Sequence, residues 1–404
     1  MSARKFMRIP PVIALEIGTT KVCALVGEVA DDGQLMITGL GECPSRGIRK
    51  GEVVDFDNAL TCVRTALQEA EENGQVSIHQ VHLLVSGGHI RSAVNRGSVP
   101  ILNEQGEITA DEMTRVEEMA RAVNLAPDRE ILHTVRQHYY VDDGQPVINP
   151  EGMEGSKLAL DMLILHGLRN PMRNIVKLVR SAQVDVQDVA FGGLCSALAV
   201  LSPDEKRNGV LMVDLGGGAT NYLVYAEERI ADAGSFAVGG DHVSNDIAHG
   251  LRISQADAER LKIEAGSALI ELTVRGQTLN ITPGIGAAPR PLRLTDLHTI
   301  IHLRVEETLN LVLEPVRQKK LLPKLGGGVV LTGGGARLKN LERLVTKVFD
   351  LPCRIGQPRD VNGLSRITEK PEYAAAVGML RYGLRTVRQR RPGFGGWFKS
   401  LWEK

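Results

Sequence analysis

Two short stretches of this 404-residue chain set an acid just before a glycine turn. In residues 12–29, VIALEIGTTKVCALVGEV, an apolar run reaches Glu16, then Gly18, Thr19 and Thr20, before a second apolar run begins. In residues 210–226, VLMVDLGGGATNYLVYA, an apolar run reaches Asp214, then Gly216, Gly217 and Gly218. Glycine turns let backbone N–H groups approach phosphate oxygens with no Cβ in the way. Thr19, Thr20 and Thr220 add hydroxyl donors. The acids repel phosphate, but each can hold a hydrated Mg2+ that bridges to it. Two such turns facing each other would grip a triphosphate from both sides, whereas either one alone is an ordinary hairpin. Lys21 follows the first turn, and its ammonium either reaches phosphate or is a solvated strand residue.

The runs on either side of each turn are β-rich, so each stretch reads as a β-hairpin. Glu16 and Asp214 stand 198 positions apart, close to half the chain, and an internal duplication of one α/β domain explains the spacing. Residues 57–72 read as a helix and residues 82–86 as a strand ending at Gly87-Gly88. In the second half, residues 295–316 read as a long helix and residues 329–332 as a strand ending in Gly333, Gly334 and Gly335. A helix carrying Leu338, Leu341, Leu344, Val345 and Val348 follows.

Two segments lie outside the duplicated pattern. Residues 88–166 read as an inserted α+β subdomain. Thr109 and Glu112 form a capping box there, and Met113, Val116, Met119, Ala120 and Val123 line one helix face. Residues 227–294 read as a second insertion, with a helix over 255–268 and a proline-bearing loop at 287–291. The core halves are then residues 1–87 with 167–208, and residues 209–226 with 295–362. Residues 363–385 return to the first half.

The last residues change character. Residues 386–396, TVRQRRPGFGG, read as a flexible linker, and residues 397–404, WFKSLWEK, hold both tryptophans. On a helix, with Trp397 at the origin, Leu401 falls near about 40°, Phe398 near about 100° and Trp402 near about 140°. Six basic residues against Glu403 in residues 385–404 favour anionic headgroups, and tryptophan favours a bilayer interface. The helix docks on a membrane or, alternatively, on the protein's own core. It is shorter than the ~12–15 residues that hold together alone in water, so it is expected to order on lipid.

Composition removes other classes. With 43% hydrophobic and 24% charged residues, there is material for a packed core. The 48 basic and 48 acidic residues balance, which argues against a nucleic-acid binder. Cys23, Cys43, Cys62, Cys195 and Cys353 show no Cys-x-x-Cys spacing, so neither zinc nor a disulfide framework is expected. No signal peptide is read, and no apolar run approaches the ~18 residues of a membrane span. Neither G-x-x-x-x-G-K-[ST] nor a strand followed by G-x-G-x-x-G occurs.

On these residues a resemblance becomes visible. LEIGTTK and VDLGGGATN resemble the two phosphate motifs of the actin, DnaK-chaperone and sugar-kinase superfamily, and VVLTGGGARLKNL resembles its adenosine motif. AERLKIEAGSA is similar to a stretch of the bacterial actin MreB, which implies that Glu259 and Lys262 contact the nucleoside. FAVGGDHVSNDIA resembles the loop whose glycines, here Gly239 and Gly240, touch the phosphates. Within the superfamily, CPSRGIRKGEVVDFDNAL, NIVKLVRSAQVDVQDVAFGGLCSALAVL and EYAAAVGML resemble the bacterial cell-division FtsA family. So do the place of the first insertion and the terminal helix.

The resemblance implies a duplicated actin-like ATPase fold with two inserted subdomains and a C-terminal amphipathic helix. It implies ATP and Mg2+ as cofactors. Gly18, Thr19, Thr20, Lys21, Gly216, Gly217, Gly218, Ala219 and Thr220 would sit at the phosphates, Gly333, Gly334 and Gly335 at the nucleoside, and Glu16 and Asp214 at the ion through water. It implies a protein that polymerises and tethers FtsZ filaments to the cytoplasmic face of the cell membrane at the division site, alongside other division proteins. Trp397, Phe398, Leu401 and Trp402 would enter the lipid. The FtsZ C-terminal peptide would dock on the second insertion and the adjoining helix. There Arg304 and Glu307 match contact positions of the family or form a solvated surface pair. The rival readings are another actin-like ATPase of MreB or PilM type, or a small-molecule kinase. One departure bears on turnover. Asn221 stands where Asp is common and where a water is positioned; an amide hydrogen-bonds but is no base, so hydrolysis is expected to be weak or absent.

Overall fold

The computed structural model describes residues 10–30, 33–103, 105–271, 274–282 and 288–389. Residues 397–404, and with them Trp397, Phe398, Leu401 and Trp402, lie outside the described residues.

Two sheets carry the same strand order. The first runs Asp185–Phe191, Gln80–Val85, Val12–Ile17, Lys21–Val29, Leu35–Pro44, with Val361–Gly363 added at its edge. The second runs Cys353–Ile355, Val329–Thr332, Val210–Leu215, Thr220–Ala226, Arg229–Phe236. In both, the hairpin is antiparallel and its first strand is parallel to the next inner strand. The duplication is therefore topological as well as local. The hairpins share one register: Ile17 faces Val22 and Leu215 faces Thr220, again 198 positions apart.

This order corrects one expectation. Residues 229–236 are not part of an insertion, because they form the third strand of the second sheet, paired with Thr220–Ala226 across one bulge at Ala231. They were hidden because RIADAGSF lacks a clean alternation. What stands outside the second sheet is the helix Gln255–Ala265 and the small ribbon of Thr278–Ile281 with Arg290–Arg293. Pro291 thus sits in an edge strand, where its missing N–H is tolerated.

The inserted subdomain is a four-stranded antiparallel sheet, Arg91–Pro100, Lys157–Leu168, Arg129–Val141 and Pro146–Val147, with the helix Ala110–Arg121 on one face. Thr109 caps that helix, and Glu112 closes the capping box. The buried face is Val116, Glu117 and Ala120 with Met113 beside it, while Met119 is 52% exposed. The sequence reading placed Met119 inside. A step of three from Val116 falls about 60° short of a full turn, whereas the step of four to Ala120 passes it by only about 40°. Glu117 takes the inner place and is satisfied by Arg136 at 2.9 Å and Tyr139 at 3.2 Å.

The insertion leaves the first half by chain but rests on the second half. Ser92 Oγ donates to Asp232 Oδ1 at 2.5 Å, Arg91 donates to Ser235 O at 2.7 Å, and Gln137 donates to Ile230 O at 2.8 Å. Asp232 has no exposed surface, and Lys319 neutralises it at 2.7 Å.

The long helix Leu294–Gln318 buries Leu297, Ile301, Val305, Leu309 and Val312 against the second sheet. The last described helix, Ala374–Gln389, returns to the first half and crosses Gly192–Val200. A Cβ at Gly378 would stand 1.7 Å from Cys195 O, so the two backbones touch there. This helix runs past Thr386, whose hydroxyl donates to Tyr382 O at 3.1 Å, so the linker expected from residue 386 does not begin there. The single proline and the three glycines of residues 386–396 begin only at Pro392.

Candidate nucleotide site

Each hairpin turn closes the same way. Gly18 N donates to Lys21 O at 2.9 Å, and Gly216 N donates to Ala219 O at 3.0 Å. The turns meet face to face. A Cβ at Gly217 would stand 2.0 Å from Thr20 Oγ1, and one at Gly218 would stand 2.3 Å from Thr19 Oγ1. Only glycine fits this approach. Thr19 Oγ1 also accepts from Gly51 N at 3.3 Å, which draws the segment after the first sheet's third strand into the cleft.

Behind the turns lie the two acids. Asp214 is 7% exposed; its Oδ2 accepts from Ser196 Oγ at 2.8 Å and from Asn221 Nδ2 at 3.4 Å. Burial raises its pKa, and the two hydrogen bonds oppose the shift. Glu16 lines the other side, and its Oε2 is buried with no hydrogen-bond partner. Burial pushes the Glu16 carboxyl up to about 7, opposed by Lys21 and reinforced by the charges of Asp214 and Glu42. The charge of Asp214 is thus felt at Glu16. Asn221 Oδ1 is likewise buried and unpartnered, while its Nδ2 also reaches Ser86 Oγ at 3.3 Å. Orphaned oxygens on Glu16 and Asn221, beside turns that exclude any Cβ, fit a hydrated cation and the polyphosphate it accompanies. Among the described residues, no group of three or more His, Cys, Asp or Glu could hold a metal ion directly.

The other expected residues gather at the same place. Gly240 N donates to Gly216 O at 2.9 Å, and Asp241 N to Gly217 O at 2.8 Å, so the loop of Gly239 and Gly240 is fastened to the second turn. Lys262 Nζ donates to Gly240 O at 3.1 Å and to Glu259 Oε2 at 2.7 Å, tying the helix Gln255–Ala265 to that loop. Gly333 has φ +81°, which glycine adopts without strain, and a Cβ there would stand 2.3 Å from Asp214 Oδ1. Gly334 opens a short helical turn, and Gly335 packs on Leu215. Ala219 is 8% exposed and closes the second turn.

Two expectations need correction. Thr220 is fully buried, and its hydroxyl donates to Val238 O at 2.8 Å, so it anchors the neighbouring loop instead of offering a free donor to phosphate. Lys21 is neither solvated nor aimed only at the turn. Its Nζ donates to Glu42 Oε1 at 3.0 Å and lies 3.5 Å from the centre of the Tyr373 ring. Ser196, Ser86, Glu42 and Tyr373 were missed. They arrive from strand ends and helices far along the chain, and no local pattern announces them.

Away from the cleft, Arg304 donates to Asp246 Oδ1 at 3.1 Å through Nη2 and to Glu307 Oε2 at 2.6 Å through Nη1. The pair faces the helix Gly240–Leu251 that starts at the phosphate loop. Nearby, a groove of about 390 Å³ is lined by Leu251, Ile281, Arg290, Arg293 and Ile300.

Two like halves facing each other across paired acid-and-glycine turns define an actin-like protein. The solved structures agree on this fold. The PilM–PilN type IV pilus biogenesis complex superposes with a TM-score of 0.64 at 15% identity, over 92% of this chain and 98% of that one. MreB5 of Spiroplasma citri bound to ADP gives 0.57 at 14% identity, over 95% and 99%.

Within that class, the chain belongs to the FtsA cell-division family. The family model described as cell division protein FtsA matches residues 211–378, and the one described as the SHS2 domain inserted in FtsA matches residues 87–166. Cell division protein FtsA of Pseudomonas aeruginosa is 36% identical over 92% of this chain and 89% of its own length. The Escherichia coli protein is 35% identical over 96% of both.

Proposed function

We propose that this chain binds Mg2+-ATP between its two hairpins, self-assembles, and tethers FtsZ filaments to the cytoplasmic face of the cell membrane at the division site. The observation that carries the nucleotide reading is the meeting of Gly217 with Thr20 and of Gly218 with Thr19 in front of Glu16 and Asp214. In this arrangement the turn amides face the phosphates, Glu16 and Asp214 hold the ion's water, and Glu259 with Lys262 borders the nucleoside. The bound ion supplies charge neutralisation at the phosphates. Asn221 can orient a water through Oδ1 but cannot take its proton, so binding outlasts turnover.

Membership of the FtsA family supports the division role, and the ADP carried by the MreB5 relative supports the ligand class. The FtsZ C-terminal peptide is assigned to the groove by Arg290 and Arg293 and to the Arg304–Glu307 pair. Membrane lipid is assigned to Trp397, Phe398, Leu401 and Trp402 on sequence grounds. The test is a titration of the FtsZ C-terminal peptide into the protein and into Arg304→Glu. Saturable binding that the substitution abolishes supports the assignment, and the absence of binding to the wild-type chain overturns it.

A further inference from the structure

The short segment Pro371–Tyr373 touches both sides of the cleft. At one end, Pro371 O accepts from Gly333 N and from Thr332 Oγ1, each at 3.2 Å, and Glu372 pairs with Arg337 at 2.9 Å. These are the residues of the turn assigned to the nucleoside. At the other end, Tyr373 is 6% exposed, and its hydroxyl donates to Glu42 Oε2 at 2.9 Å. Lys21 completes a closed triangle, with its ammonium on Glu42 Oε1 at 3.0 Å and on the Tyr373 ring face at 3.5 Å.

Each member of the triangle holds the other two. Burial pushes the Lys21 ammonium down, but Cys23, Glu16, Glu42 and Tyr373 together raise it above its ordinary value, so it stays charged. Burial and Glu42 push the Tyr373 hydroxyl up to about 12, so it keeps the proton it donates. Withdrawing the ammonium would break an ion pair and a cation–π contact at once and leave a carboxylate poorly partnered. The duplication adds an independent observation. The position matching Lys21 in the second turn is Ala219, so the repeated phosphate grip does without a cation there.

We propose that Lys21, Glu42 and Tyr373 form a strut that fixes the first phosphate turn relative to the nucleoside turn. Lys21 is then a positioning residue that acts through backbone geometry, not a ligand of the phosphates. Three residues of chain span at most about 10 Å, so the distance from Gly333 to Lys21 cannot drift while the triangle holds. The inference rests on the nucleotide reading above and gives one of its residues a different role.

The experiment measures affinity for adenosine, ADP and ATP by calorimetry in the wild type, Lys21→Met, Lys21→Arg and Tyr373→Phe. Amide hydrogen exchange at Gly333 is followed in nucleotide-free protein. A strut predicts that Lys21→Met weakens all three ligands alike, by about tenfold, and speeds exchange at Gly333. Lys21→Arg restores both, because a guanidinium spans Glu42 and the ring together. Should Lys21→Met fold poorly, Tyr373→Phe keeps the ring, loses only the hydroxyl bond, and gives the same pattern at smaller size. A loss that grows with the number of phosphates and spares adenosine would overturn the strut, as would unchanged exchange at Gly333. A wild-type chain that binds none of the three ligands overturns the nucleotide reading instead, and Gly333 exchange still decides the strut.

Discussion

Asn221 Nδ2 stands 3.4 Å from Asp214 Oδ2, on the same rung of the second hairpin, while Asn221 Oδ1 has no partner at all. The amide's donor end is held by the acid behind the cleft, and its acceptor end is buried and left unpaired. An acceptor orients a water but does not deprotonate it. Phosphate release by the wild type should therefore run far below the roughly 10 per second of a typical enzyme. Asn221→Asp should raise it, at the expense of two neighbouring carboxylates that push each other's pKa up. A wild-type rate in the enzymatic range, read by released phosphate, would refute this.

Asp214 and Glu16 are expected to act on the ion before they act on the nucleotide. Asp214→Ala should weaken Mg2+-ATP binding far more than binding of Mg2+-free ATP. Calorimetry in magnesium and in EDTA separates the two. Equal losses would remove the metal role.

Glu16 carries a pH signature in the nucleotide-free chain. Its folded pKa of about 7 lies above the ordinary value of 4.5. Between these values the folded chain holds a proton that the unfolded chain has released. Stability thus falls as pH rises through that window and stays reduced above it. Glu16→Gln has no such proton to lose. Its melting temperature should match the wild type near pH 4 and exceed it at pH 8. A difference that is the same at both pH values would show that the carboxyl is not desolvated.

Gly378 permits the helix crossing at Cys195. Gly378→Ala must push the helices apart and should lower stability by roughly 1–3 kcal/mol despite alanine's better helix propensity. Denaturant midpoints check this, and an unchanged or raised midpoint would contradict the crossing.

The terminal residues give a prediction from sequence. Burying Trp397, Phe398, Leu401 and Trp402 would be worth at most ~1.5–3 kcal/mol each, less the cost of ordering them, so one tail should bind weakly and assembly should multiply it. Trp402→Glu should abolish liposome co-sedimentation and leave ATP binding intact. Fusing the tail to an inert dimer should restore more lipid binding than fusing it to a monomer. Unchanged sedimentation of the variant, or equal binding by both fusions, would make the tail an ordinary extension.

What the sequence made legible was what repeats or is local. The 198-residue offset survives down to single hydrogen bonds, Gly18 to Lys21 and Gly216 to Ala219, because a tight turn is written in its own residues. The capping box at Thr109 and Glu112 is local in the same way. Ser196 was not legible. It reaches Asp214 from a separate helix, and a serine among alanines carries no sign of its target. Tyr373 and Glu42 are 331 residues apart in the chain, and nothing in either neighbourhood points to the other. The strand Arg229–Phe236 was misread for a related reason. Its pairing partner, not its own alternation, makes it a strand.

The contact between Ser92 and Asp232 changes the mechanics of the whole molecule. The halves are already joined where Ser196, on the helix Gly192–Val200 of the first half, meets Asp214 of the second hairpin, and a lone joint would leave a pair of jaws. A second fastening, from an insertion of one half onto the outer strand of the other, turns the jaws into a closed frame. In a frame, no side can rotate without shearing a corner. The corner here is a carboxylate with no exposed surface, and prying it loose admits water to a charge left to Lys319, the Tyr222 hydroxyl and the Ala233 amide. Widening the cleft and displacing the inserted subdomain are, for this chain, two descriptions of one motion.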